Sequence, residues 1–363
     1  MRRAFRRPIY GVAFALGLLG LLEGAMRLFP EPRAPELVVF QPHPTRIWAL
    51  EEGEDMAAMV RVRIDADGLR LPARPGKEGA PVILTVGDSS IFGHGVPDGE
   101  TLHDQLQQQL DDGGLPTRVL CGAVPGYSTL QSERLLEEVG WARNPKLLVV
   151  ANLWSDNNID GFTDAALMSA LQSPAANLER LLSHSALFRQ TRLQLNSLLG
   201  RPTRWKVSWP TASQQGVRRV PLPDYAQALG RIFAAARSRQ VGVVVVALSN
   251  TWLFAHDRNA ATSWKPYFEA QKRVADAWQV PYLDSLPALQ ATGQPAEGLF
   301  VDALHPSGQG HAVIAKLIAD LLLKKGWPEL PVPPDTLPAL PADPGGGQLE
   351  PDSLQGRMMM AQP

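Results

Sequence analysis

A single cysteine, Cys121, stands among the 363 residues, so neither an intrachain disulfide nor a cysteine-based zinc site can form. That leaves the compartment open, because an exported chain without disulfides is permitted. Excess charge is also lacking: 35 Lys and Arg against 36 Asp and Glu leave a formal net charge of -1, which gives no electrostatic reason to expect nucleic acid as a partner. Repeats of solenoid period are absent. What the chain has in quantity is apolar side chains, 45% of the total, enough to bury a sizeable core in one large domain or two smaller ones.

The amino terminus argues for export. Arg2, Arg3, Arg6 and Arg7 precede the apolar run Ile9 to Leu22, the charged-then-apolar order of a signal peptide or signal anchor. Gly24, Ala25, Met26 and Leu28 extend the run past Glu23, and neither a small-x-small cleavage site nor a lipobox cysteine follows. We therefore expect an uncleaved single-pass anchor over residues 1–29, with the arginines inside and the remainder outside; a cleaved signal is the alternative.

Residues 30–80 carry several prolines and the alternating run Val60-Arg-Val-Arg-Ile64, which the Asp65-Ala-Asp-Gly68 turn ends, predicting a small β arm between anchor and main domain. From Pro81 the pattern becomes strand, helix, strand. Buried strands are expected over 81–86, 118–121, 146–153, 241–249 and 280–284, and helices over 101–110, 130–139, 223–239, 266–278 and 308–325. This alternation predicts an α/β domain over 81–327 with a parallel sheet and helices on both faces. Residues 161–218 interrupt it as a mainly helical insertion, a lid or specificity element beside the crevice, or packing alone. The proline- and glycine-rich end, 328–363, reads as a disordered tail.

The chemistry-bearing stretch is Pro81-Val-Ile-Leu-Thr-Val-Gly-Asp-Ser-Ser-Ile-Phe-Gly-His-Gly95. An apolar strand breaks into a Gly-Asp-Ser-Ser turn, which holds a serine hydroxyl at the rim of the sheet. A serine is a weak nucleophile until a base takes its proton and a third group orients that base. Asp302-Ala-Leu-His305, after the last strand and before the last helix, offers both at a spacing that lets the carboxylate reach the ring. Read alone, the pair is equally ordinary helix-start chemistry.

Together these blocks resemble the SGNH (GDSL-type) hydrolase superfamily across roughly residues 81–325. Gly87-Asp88-Ser89 followed by Ile91-Phe92-Gly93 resembles its first block, and Asp302-Ala-Leu-His305-Pro306 its last. Cys121-Gly-Ala-Val-Pro-Gly126 is similar to the second block, with cysteine where an asparagine is usual; the resemblance implies that Gly126 gives its backbone N–H to an oxyanion. In the third block Asn152-Leu-Trp-Ser-Asp-Asn157-Asn158 departs from the usual Gly-x-Asn-Asp. An ungapped match places Ser155 where the asparagine belongs, and a short extension places Asn157 there. Asn157 supplies the side-chain donor this chemistry asks for. The charged amino terminus and the arm ending Asp67-Gly68-Leu69-Arg70 resemble membrane-anchored bacterial members.

The resemblance implies a three-layer α/β/α sandwich whose five-stranded parallel sheet runs 2-1-3-4-5, as in flavodoxin-like folds. It implies a serine esterase with Ser89 as nucleophile, His305 as base and Asp302 as orienter. The N–H groups of Ser89 and Gly126 and the Asn157 amide would form the oxyanion hole, with neither metal nor organic cofactor. A small ester or an acylated glycan is the expected substrate, O-acetyl groups of an envelope glycan being one candidate, at the outer face of a bacterial inner membrane. An acyltransferase to a sugar hydroxyl and a non-catalytic envelope binding protein on a decayed hydrolase fold are the alternatives. His94 reads as an exposed loop residue, with a place lining the crevice as the alternative, His311 as packing or surface, and Trp154, Trp252 and Trp264 as packing or sugar-stacking groups. Arg201, Arg204, Lys206, Arg218 and Arg219 read as a solvated face or a site for an acidic polymer.

Overall fold

Runs of Val, Ile and Leu with almost no polar interruption form strands buried on both faces, the signature of a parallel sheet covered by helices. In the computed structural model, which describes residues 6–28, 40–57, 60–198, 216–258, 262–332 and 334–344, these are β1 (Val82–Gly87), β2 (Arg118–Cys121), β3 (Pro145–Ala151), β4 (Gly242–Ala247) and β5 (Tyr282–Asp284). The five are parallel in the order β2-β1-β3-β4-β5, the order expected. β1 lies between β2 and β3, so chain leaving its carboxyl end parts from its neighbours and opens a crevice.

Helices cover both faces. On one, α1 (Leu102–Asp112) packs against α5 (Gly308–Lys325); on the other, α2 (Thr129–Leu135), α3 (Leu222–Ser238) and α4 (Lys265–Ala277) pack in sequence. Their starts are written in the sequence: Thr101 caps α1, Ser128 and Gln131 form a capping box on α2, and Ser307 caps α5. The thiol of Cys121 is buried in β2, and burial pushes it up to about 11, which leaves it inert.

The β arm is more than a link between anchor and domain. Two antiparallel hairpins, Phe40–His43 with Ile47–Leu50 and Gly53–Ala57 with Val60–Ile64, precede the Asp65–Gly68 turn. In that turn Asp65 Oδ1 accepts from the N–H of Asp67 and Leu69, at 3.0 and 2.9 Å. Arg70 then bridges Ile64 to Cys121, so the arm lies on the open edge of β2, and its described residues belong to the same compact unit as the sheet.

The ends of the expected insertion are joined by a short antiparallel ladder, Ile159–Asp160 with Val217–Arg218. A second unit comprises Met1–Pro35 and Ser169–Trp209. Its described parts are the helix Arg6–Arg27 and helices Pro174–Leu182 and Ala186–Leu198. Arg6–Arg27 is long and apolar enough to cross a membrane; its window from Tyr10 to Arg27, 18 residues, spans about 27 Å against a hydrocarbon core of about 30 Å. Glu23, which interrupts the apolar run, accepts from Ser185 Oγ at 2.7 Å and from the N–H groups of Ala186 and Leu187 at 3.0 Å. It caps the helix Ala186–Leu198 from outside that helix.

Within the tail expected from composition, residues 328–332 and 334–344 are described. Without forming regular structure, the strap lies along α3 and α4: Arg237 Nη1 donates to Leu330 O at 2.7 Å, Arg273 Nη1 to Ala339 O at 2.6 Å, and Leu222 N–H to Asp343 at 3.1 Å. Proline-rich backbone has few donors of its own, and arginines from the helices satisfy its carbonyls. Residues 345–363 lie outside the described residues, as do Arg201, Arg204 and Lys206.

Candidate active site

β1 ends at Gly87, and a Cβ there would sit 2.9 Å from Ile91 Cγ1, so only glycine lets the chain fold back this tightly. Asp88, extended at φ -101° and ψ -156°, caps the short helix Ser89–Phe92, its Oδ1 accepting from Ser90 N–H at 3.0 Å. Burial pushes the Asp88 carboxyl up to about 6, against the N–H of Ser90, the charge of His305 and the N–H of Ser155. Gly93 ends the turn at φ +86°. Ser89 is thus the first residue of a one-turn helix at the carboxyl end of β1, where its Oγ faces the crevice.

The loop after the helix Ala296–Leu299 supplies the partner. Asp302 Oδ1 accepts from the N–H of Leu304 and of His305, at 2.7 and 2.8 Å, so the carboxylate shapes the loop that carries the imidazole. Its Oδ2 meets His305 Nδ1 at 2.7 Å, and His305 Nε2 meets Ser89 Oγ at 2.8 Å. Burial opposes charge on Asp302, yet the His305 ring and the two backbone N–H groups outweigh it and hold the carboxyl below its usual range. The three residues predicted from Gly-Asp-Ser and Asp-x-x-His are thereby brought into one hydrogen-bonded line across 216 positions.

His94 is not an exposed loop residue. It is half-buried, its ring 4.5 Å from that of His305 at a tilt of 38°. His94, Asp302 and His305 bring one potential ligand atom each within 4.8 Å of one another, but both ring nitrogens of His305 are already engaged, by Asp302 and Ser89. His311, on α5, is wholly buried and donates from Nε2 to Ser90 O at 3.1 Å, tying the last helix to the turn that carries Ser89.

After β2 the chain turns at Gly126, with φ +78°, a left-handed conformation that favours glycine. Arg219 Nη1 donates to Gly126 O at 2.8 Å, while its Nε and Nη2 form a bidentate pair with Asp164 at 2.9 and 2.7 Å. Arg219 and its neighbour Arg218 are buried, the latter donating to Asn157 O at 2.6 Å. The sequence reading of these two arginines as a solvated face or polymer site is therefore corrected: each charge is spent inside. After β3, Asn157 is wholly buried, and its Nδ2 donates to Ser263 Oγ at 3.2 Å. Trp154 and Trp264 are buried edge-on against each other, with centroids 5.3 Å apart, so both are packing groups. Trp252, partly exposed, stacks on His256 at 4.4 Å.

No family model and no curated protein sequence matches the chain. Among solved structures, it is similar to a protein described as a GDSL-like lipase from Parabacteroides merdae, with 14% identity and a TM-score of 0.43 over 70% of this chain and 100% of that one. It is also similar to the lipase/acylhydrolase from Enterococcus faecalis, with 14% identity and a TM-score of 0.44 over 70% of this chain and 100% of that one. An acetylxylan esterase from Geobacillus stearothermophilus is similar at 15% identity and a TM-score of 0.41, over 67% of this chain and 93% of that one.

Proposed function

We propose that the protein is a serine esterase of the SGNH type working through an acyl-enzyme. The observation that carries this reading is the line Ser89 Oγ, His305, Asp302, closed by bonds of 2.8 and 2.7 Å. In the first half-reaction Ser89 Oγ attacks the ester carbonyl as His305 Nε2 takes its proton, and ionised Asp302 steadies the imidazolium that forms. The tetrahedral oxyanion is held by the backbone N–H groups of Ser89 and Gly126 and by the Asn157 amide, which Ser263 orients. His305 gives the proton to the leaving alcohol. Water, deprotonated by the same imidazole, then releases the acid and frees Ser89.

Ser89 and His305 expose only 5% and 6% of their surface, which favours a short acyl group, with O-acetyl groups of an envelope glycan as the natural substrate. The helix Arg6–Arg27 would hold the chain in a bacterial inner membrane, the amino-terminal arginines on the cytoplasmic side and the catalytic domain outside. A chromogenic acetyl ester tests the reading. We expect acetate released to water, abolished in Ser89→Ala. Acetylated sugar as the main product on adding an oligosaccharide would replace the hydrolase with an acyltransferase.

A further inference from the structure

We infer that Trp48, on the amino-terminal β arm, is a positioning residue for this reaction: its indole N–H fixes the peptide unit that carries the Gly126 N–H. The inference rests on the reading of Ser89 as nucleophile and Gly126 as oxyanion donor.

Trp48 Nε1 donates to Pro125 O at 3.2 Å, in a buried contact across 77 positions. The Pro125 carbonyl and the Gly126 N–H belong to one peptide plane, trans like every described peptide bond here, so they point in opposite directions. A donor fixed on the carbonyl therefore sets the direction of the N–H. It also draws electron density toward the carbonyl oxygen, which makes that N–H a stronger donor. The position needs such a hold, because Gly126 sits at φ +78° and glycine lets a peptide plane turn at little steric cost.

The plane on the other side of Gly126 is held as well, by Arg219 on Gly126 O at 2.8 Å, and the Arg219 guanidinium lies 5.3 Å over the Trp48 ring. Trp48 is itself fixed: Tyr127 Oη donates to Trp48 O at 2.6 Å, with the two rings edge-on at 5.9 Å. The same arm reaches the nucleophile turn, where wholly buried Arg70 donates to Phe92 O and Gly93 O, each at 2.9 Å. One arm thus grips the chain that would carry the nucleophile and the chain that would carry the oxyanion donor.

The test replaces the donor and keeps the ring. Trp48→Phe retains an aromatic face for Arg219 and loses the indole N–H. With the acetyl ester, kcat should fall about tenfold or more, below the ~10²–10³ lost with a hole donor itself. KM should stay within about twofold, and the acid limb of the pH profile should not move, because the Ser89–His305 pair is untouched. If Trp48→Phe fails to fold, benzothienylalanine at position 48, isosteric with tryptophan but lacking the N–H, makes the same comparison. Wild-type kcat in either folded variant, while Ser89→Ala is inactive, overturns the role of Trp48 alone. Unchanged turnover in Ser89→Ala overturns both this inference and the reading on which it rests.

Discussion

The imidazole of His94 lies against that of His305, with ring centroids 4.5 Å apart. Burial first, and then the charge of His305, bring His94 down to about 4, so above that pH a neutral ring faces the base. In the proposed mechanism a neutral neighbour leaves His305 free to become an imidazolium in each half-reaction; a cation in its place would oppose that step.

A fixed charge at position 94 exposes this coupling. In His94→Arg the cation eases proton loss from the neighbouring imidazole, so the acid limb of kcat/KM should move to lower pH by about one unit. His94→Phe should leave the limb in place. Coincident limbs in the two variants would show that the ring pair is packing alone.

The proposed third oxyanion donor is tested by comparing two neighbouring residues. Asn157→Ala should lower kcat by about 10²-fold or more with little change in KM, as removal of a hole donor does. Ser155→Ala should have a smaller effect. The reverse order would move the role to Ser155, the residue an ungapped match places there.

Asp156 makes a prediction about stability. It is wholly buried, its Oδ1 accepting from Thr129 N–H at 2.8 Å, and burial pushes its carboxyl from 3.8 up to about 8. Between those values the folded chain holds a proton that the unfolded chain has lost, so this group's contribution to stability declines as pH rises through the window. Asp156→Asn has no proton to lose. Relative to wild type, its urea midpoint should therefore improve from pH 5 to pH 8, and a difference constant across that range would contradict the buried neutral acid.

The parts legible in the sequence are those whose chemistry is local. β1 and its turn could be read because Gly87-Asp88-Ser89 packs strand end, cap and the proposed nucleophile into consecutive residues. Asp302 and His305 could be read because a spacing of three lets one side chain reach the other. Thr101, Ser128 and Ser307 cap their helices through nearby residues in the same local way. What the sequence hid depends on distant partners. Arg218 and Arg219 look like solvated charge until Asp164, Gly126 O and Asn157 O come from elsewhere to meet them. The first hairpin of the arm carries no clear strand signal, because it is short, contains Pro42 and starts its second strand at Ile47 with φ +69°, unfavourable for a β-branched residue. Glu23 looks like a flaw in an apolar helix until Ser185, Ala186 and Leu187 donate to it. Trp48 carries no local signal at all, since its partner on the second loop lies 77 positions away.

The account stands on Ser89 being an activated nucleophile, and fluorophosphonate labelling tests that most directly. Wild-type protein should take up one equivalent of probe, recovered by mass spectrometry on the peptide containing Ser89. Labelling should vanish in Ser89→Ala and fall sharply in His305→Ala. Folded wild-type protein that takes up no probe, or equal labelling of wild type and Ser89→Ala, would contradict the account.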